Sequence, residues 1–185
     1  MTFYVLENFP EKLHNKLKEI WNQGNWVNTL DADPGVMTHY HLSVKHEIFD
    51  ELPYAKSVEY YANTPRSTAA PHLDRGRWCA INVPIDVDTK NSCFMTGKYF
   101  HLNKYKRKTH LDNSYAFKTV EDGPSGFYYE DKDLFDYYNL EKPVIFCTKV
   151  PHGFHNDCDT ERVLCSITFD KKWEEVLHLI PQDWY

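Results

Sequence analysis

The chain has 185 residues, of which 42% are hydrophobic and 26% charged, so it is long enough to bury a core without disulfide or metal staples. Its formal net charge of -6 argues against a general nucleic-acid binder, which needs a basic face to displace counterions. No stretch approaches the ~18 consecutive apolar residues of a membrane span, and the opening MTFYVLENFPEKLHNKLKEIW lacks the basic and long apolar regions of a secretory signal. The expectation is one domain over 1–185, mature and cytoplasmic, with no membrane partner.

In chain order, Leu13, Leu17, Ile20 and Trp21 recur at helical spacing over residues 10–23. Pro10 suits a first helical position and Gly24 a stop, so an amphipathic helix is predicted there. From about residue 56 the pattern changes to short runs rich in Val, Ile, Phe, Tyr and Thr, broken by Pro, Gly, Asn and Asp. Strands are predicted over 56–62, 77–85, 92–100, 115–120, 126–130, 143–149 and 161–169. No helical segment separates them, which excludes alternating βαβ units and leaves an antiparallel sandwich, jelly roll or barrel as the core of about 56–170. A last helix is predicted over 171–178, with Trp173, Val176 and Leu177 as its apolar stripe and Asp170 as its cap.

Five cysteines, Cys79, Cys93, Cys147, Cys158 and Cys165, include no CxxC pair, so neither a zinc ribbon nor a redox dithiol is indicated. Most lie among apolar neighbours and read as reduced core thiols. The basic run Lys104 to Lys108 reads as a solvated loop, with an anionic contact as its alternative; Arg75 and Arg77 are further candidates for such a contact.

Ten histidines invite a search for metal ligands, and three His-x-Asp dipeptide spacings occur: His72 with Asp74, His110 with Asp112, and His155 with Asp157. With 15 Asp in the chain about one is expected by chance, so context must separate them. His72 and Asp74 directly precede the long apolar run from Arg77 to Ile85. In extended chain, positions i and i+2 share a face, so these two can grip one ion. His155 reads as an ordinary hydrogen-bonded residue.

A third ligand comes from PVIFCTKVPHGFHNDCDTERVLCSITF. Its two apolar runs flank Asn156 to Thr160, which reads as a hairpin tip; centred near Asp157, the hairpin sets His152 opposite Arg162, with Cβ atoms about 5 Å apart. An imidazole beside a fixed cation makes poor sense as an ion pair. It makes sense if His152 is neutral and metal-bound while Arg162 holds an anion that also reaches the metal. Two histidines and one carboxylate leave one face of an octahedral ion open, and a planar guanidinium grips a carboxylate in a way that lysine does not. By parity Arg162, Leu164 and Ser166 share one strand face. Asn82, in INVPI, either faces the same space or fills the sheet.

The ordered set HLD at 72–74, the strand RWCAINVPI, His152, and Arg162 leading RVLCSITF resembles the Fe(II)/2-oxoglutarate-dependent oxygenases over roughly 66–170. The stretches PHLDRGRWCAINVPI and VPHGFHND are similar in particular to the aspartyl/asparaginyl β-hydroxylase and prolyl hydroxylase branches. The resemblance implies a mainly β fold with flanking helices, a double-stranded β-helix of jelly-roll or cupin-like form. It implies Fe(II) held by His72, Asp74 and His152, and 2-oxoglutarate as cosubstrate on Arg162, with Ser166 beside it. Dioxygen would be the oxidant, and a protein side chain or small molecule would be hydroxylated with release of succinate and CO2. Tyr60 and Tyr61 have no counterpart in that pattern. Two other classes share the barrel: a cupin-like metalloenzyme that uses no keto acid, and a non-catalytic jelly-roll binding module. The segment 126–138, GFYYEDKDLFDYY, reads as an edge strand followed by a packed loop, or as a lip over the site.

Overall fold

The computed structural model describes residues 1–26, 28–33, 37–74, 76–101 and 132–185. The strands expected over 115–120 and 126–130, the basic run 104–108, Arg75 and the His110 to Asp112 spacing lie outside them.

Eleven strands are found among the described residues: β1 (Phe3–Val5), β2 (Asn28–Asp33), β3 (Met37–His41), β4 (Ser57–Asn63), β5 (Ser67–His72), β6 (Cys79–Asp86), β7 (Ser92–Gly97), β8 (Phe135–Tyr138), β9 (Val144–Cys147), β10 (His152–Asn156) and β11 (Arg162–Phe169). The helices are α1 (Glu11–Gln23), α2 (Ile48–Glu51) and α3 (Trp173–Leu179). None of them is long and apolar enough to cross a membrane. Strands β1, β2, β3, β5 and β10 had no counterpart in the sequence reading. Nor did β8, at the border of the smaller sheet: it falls in the second half of 126–138, where a packed loop was expected.

Two antiparallel sheets face each other, the larger in the order β1-β9-β6-β11-β4-β3-β2 and the smaller β5-β10-β7-β8. From β4 onward the chain repeatedly changes sheet: β4, β6, β9 and β11 belong to the larger, β5, β7 and β10 to the smaller. This is the double-stranded β-helix.

One consequence corrects the sequence reading. Strands β10 and β11 are not paired with each other: β10 lies between β5 and β7, while β11 lies between β4 and β6. The supposed hairpin is a crossover between sheets, so His152 and Arg162 are not opposed across a ladder.

Alternation along the larger sheet makes two cores. On its outer face Val58, Tyr60, Ile81, Val83, Cys165 and Ile167 pack with Leu13, Leu17 and Ile20 of α1 and with Trp173 and Val176 of α3. The Tyr60 hydroxyl donates to the Leu17 carbonyl at 2.9 Å, which fixes α1 on the sheet. Helix α1 ends where expected: Gly24 takes φ 64, a left-handed cap that costs a glycine little. On the inner face Ala80, Val144, Phe146 and Leu164 meet Phe94 of the smaller sheet, sealing one side of the space between the layers. All five cysteines are free thiols, four of them buried.

Candidate functional site

His72, Asp74 and His152, which could hold a metal ion, are brought together by two adjacent strands and a loop. His72 closes β5 and is paired in register with His152, which opens β10. A register shift between His152 and Phe154 bulges the ladder there, a common way to re-aim a side chain beside a site. Asp74 lies two residues beyond the end of β5, in a loop pinned by its neighbours. Its N–H donates to the Thr148 carbonyl at 3.2 Å, and Lys149 Nζ donates to the Asp74 carbonyl at 2.7 Å.

Asp74 Oδ1 lies 3.6 Å from His72 Nε2 and Oδ2 lies 3.3 Å from His152 Nε2, with the imidazole centroids 4.6 Å apart. Ligand atoms that share one ion at about 2.1 Å are themselves separated by about 3 to 3.5 Å, and one ligand atom from each of the three residues lies within 4.8 Å of the others, so the donor set can close on a divalent cation by small side-chain adjustments. His152 Nδ1 lies 2.9 Å from the Val150 carbonyl, an acceptor only, so Nδ1 carries a proton and Nε2 is the ring atom turned toward Asp74. Burial alone would raise the Asp74 carboxyl, but His152, Arg77 and His72 prevail and hold it well below the usual carboxylate range. It is ionised and ready to coordinate.

A cavity of about 90 Å³ adjoins His72 and His152 and is lined further by Phe94, Phe146, Asn63, Asn82, Arg162 and Ser166. That is several times the ~10–15 Å³ needed for a single water. Arg162 reaches it from β11, in the inner-face series with Leu164 and Ser166 that parity indicated. Ser166 and Asn82 are partners in the β11–β6 ladder and line the cavity together.

Arg162 is 1% exposed, and among the described residues its one hydrogen bond is Nη1 to Asn63 Oδ1 at 3.0 Å. Its Nε and Nη2 are buried without a hydrogen-bond partner, and its carbon Cζ lies 4.9 Å from the centroid of the Phe154 ring. Burial draws the guanidinium down to about 10, so it stays charged at neutral pH. A buried cation with two orphaned donors, and no ion pair to a carboxylate among the described residues, is costly unless an anion completes it. Two parallel N–H groups are the arrangement that grips a carboxylate.

Several inner-face residues of the site escaped the sequence reading. Tyr61, Glu59, His39 and Asn63 come from β3 and β4; Arg77, weighed as an anion contact, instead binds Asp74, with Nε 2.6 Å from Oδ2. The signal was present: Ser57, Glu59, Tyr61 and Asn63 alternate with apolar Val58, Tyr60 and Ala62, and His39 precedes His41 by two. His155 points away from the series that carries His152, and Asn156 is used structurally, its amide donating to the Thr64 and Thr160 carbonyls.

No protein-family model matches the chain, and no curated protein matches it. Solved structures do. The epimerase SnoN in complex with Fe3+, alpha ketoglutarate and nogalamycin RO superposes with a TM-score of 0.61 at 12% identity, over 91% of this chain and 78% of that one. EvdO2 from Micromonospora carbonacea var. aurantiaca, complexed with 2-oxoglutarate, gives 0.56 at 15% identity, over 91% and 85%. A Pseudomonas putida prolyl-4-hydroxylase gives 0.51 at 10% identity, over 91% and 90%. At such identities the likeness is one of fold: the chain shares the double-stranded β-helix.

Proposed function

We propose that the protein is a non-haem Fe(II)- and 2-oxoglutarate-dependent dioxygenase that hydroxylates a small molecule or a protein side chain. The observation that carries this reading is the orphaned Arg162 guanidinium in the same cavity as a two-histidine, one-carboxylate triad. A module without a keto acid has no use for the first, and one without a metal has no use for the second.

In this reading His72, Asp74 and His152 hold the metal, and Arg162 takes the distal carboxylate of 2-oxoglutarate with Ser166 and Asn82 beside it. Bound there, Fe(II) supplies the redox chemistry that couples dioxygen to oxidative decarboxylation of the keto acid, releasing succinate and CO2 and one oxygen atom for the substrate. The chain's own residues position and shield. The Val150 carbonyl keeps the His152 lone pair on the metal side. Phe94, Phe146, Phe154 and Leu164 keep the cavity walls apolar, which strengthens the pairing of Arg162 with its anion. Of the solved structures, SnoN is an epimerase, which fits a scaffold on which the outcome depends on the substrate bond presented.

The test is an anaerobic titration of metal-free protein with Fe(II), then 2-oxoglutarate, following the visible charge-transfer band of a chelated keto acid. The band is expected in wild type, absent in Asp74→Ala, and shifted to much higher 2-oxoglutarate in Arg162→Ala. Tight Fe(II) binding without a band would sink the keto-acid role, and absence of Fe(II) binding would sink the enzyme reading.

A further inference from the structure

We propose that Arg77 is a positioning residue of this metal centre, held and neutralised by Glu59 so that its guanidinium fixes Asp74 without adding net positive charge beside the ion. The inference rests on the metal-centre reading above and concerns residues which that reading leaves without a role.

The geometry forms a chain of charges. Arg77 Nε donates to Asp74 Oδ2 at 2.6 Å, and Nη1 lies 3.3 Å from both Glu59 Oε2 and the Tyr61 hydroxyl. Glu59 is itself immobilised: Ser57 donates to Oε1 at 2.5 Å, Tyr61 donates to Oε2 at 2.5 Å, and His39 Nε2 lies 3.1 Å from Oε2. The side chains of Arg77, Glu59 and Asp74 are only 20%, 12% and 10% exposed, so little solvent screens them.

A second ion is the competing use of this cluster, because His39, His41 and Glu59 bring ligand atoms within 4.8 Å of one another. The hydrogen bonds decide against it. Tyr61, His39 and Arg77 crowd Oε2 and Ser57 donates to Oε1, and a fixed guanidinium already stands where a metal would need negative charge.

Arg77 serves the first centre instead. Left free, the Asp74 carboxylate could rotate away from the ion; tied through Oδ2 to Arg77, it keeps Oδ1 on the side of His72. A lone cation so close would repel a divalent metal, and Glu59 removes that objection by balancing it. Only a planar fork spans both carboxylates, so lysine is not an equivalent.

The experiment measures anaerobic Fe(II) affinity of the full chain, without turnover, for wild type, Asp74→Ala, Arg77→Gln, Arg77→Lys, Glu59→Gln and the Arg77→Gln/Glu59→Gln double variant, with circular dichroism to check folding. Arg77→Gln is expected to weaken Fe(II) binding about 10- to 100-fold, the usual cost of losing a partner of a metal ligand. Arg77→Lys should fall with it, and it carries the test if Arg77→Gln does not fold. Glu59→Gln should weaken binding less, and the double variant should be no worse than Arg77→Gln, because Glu59 acts through Arg77. Folded Arg77 variants that bind Fe(II) as tightly as wild type, while Asp74→Ala does not, overturn the role of Arg77 alone. Effects of Glu59 and Arg77 that combine independently overturn their coupling. A wild type that binds no Fe(II) overturns the metal centre itself, and this inference with it.

Discussion

The two faces of the larger sheet are built from the same strands and obey opposite rules. On β11, Val163, Cys165, Ile167 and Phe169 face the helices and are buried among other apolar groups. One residue away, Arg162, Ser166 and Thr168 are just as buried, yet polar. On β4 the same contrast sets Val58 and Tyr60 against Glu59 and Asn63. The outer face is the ordinary solution to folding, in which apolar area leaves water. The inner face holds charges that oppose stability unless something completes them, and that difference separates the part of the molecule that holds the fold from the part positioned to act.

Three measurements would break or sharpen the contrast. Truncating the outer face should act on stability alone. Ile167→Ala, at a position 0% exposed, is expected to cost about 2 to 5 kcal/mol in chemical denaturation. The surviving folded protein should bind Fe(II) and 2-oxoglutarate as before, and a loss of ligand affinity out of proportion to stability would blur the two faces.

Glu59 predicts a pH dependence. Burial alone would raise its pKa, but the hydrogen bond from His39 and the charge of Arg77 prevail and lower it from an ordinary 4.5 to about 2. The folded value lies below the unfolded one, so its contribution is complete above about pH 4.5 and is lost as pH falls toward 2. Wild type should exceed Glu59→Gln by something on the order of 3 kcal/mol at neutral pH, converging by pH 2. Parallel stability curves for the two proteins across that range would contradict the assignment.

The smallest effect has an unusual sign. Arg162→Met removes a buried unpaired cation, so the ligand-free protein should become more stable by about 1 kcal/mol or more, since apolar replacement of such a charge is often favourable. The same variant should no longer gain melting temperature from added 2-oxoglutarate, whereas wild type should gain about 2.7 kcal/mol at a hundredfold excess over Kd. A less stable Arg162→Met would mean that Arg162 belongs to the structural core after all.

Much of the site was legible because it depends on short-range periodicity. The parity that puts Arg162, Leu164 and Ser166 on one face follows from the pleat of a single strand and needs no partner; the spacing of His72 and Asp74 was visible too, although Asp74 is held in a loop past the end of β5 and not by the pleat. The position of α1, its Gly24 stop and the mainly β class are likewise properties of local pattern. Pairing is different. The register of His152 was inferred from a hairpin that does not exist, because the chain sends β10 and β11 to opposite sheets, and nothing local marks that choice. Likewise, the polar alternation in β3 and β4 was written in the chain, but its meaning depends on which face turns inward. Residues alone determined which side chains were available and which of them shared a strand face. Only the tertiary structure decided that β10 lies against β5, bringing His152 to His72, and that Arg77 bridges Asp74 to Glu59. Both depend on long-range backbone hydrogen bonding and burial, which act between segments far apart in sequence.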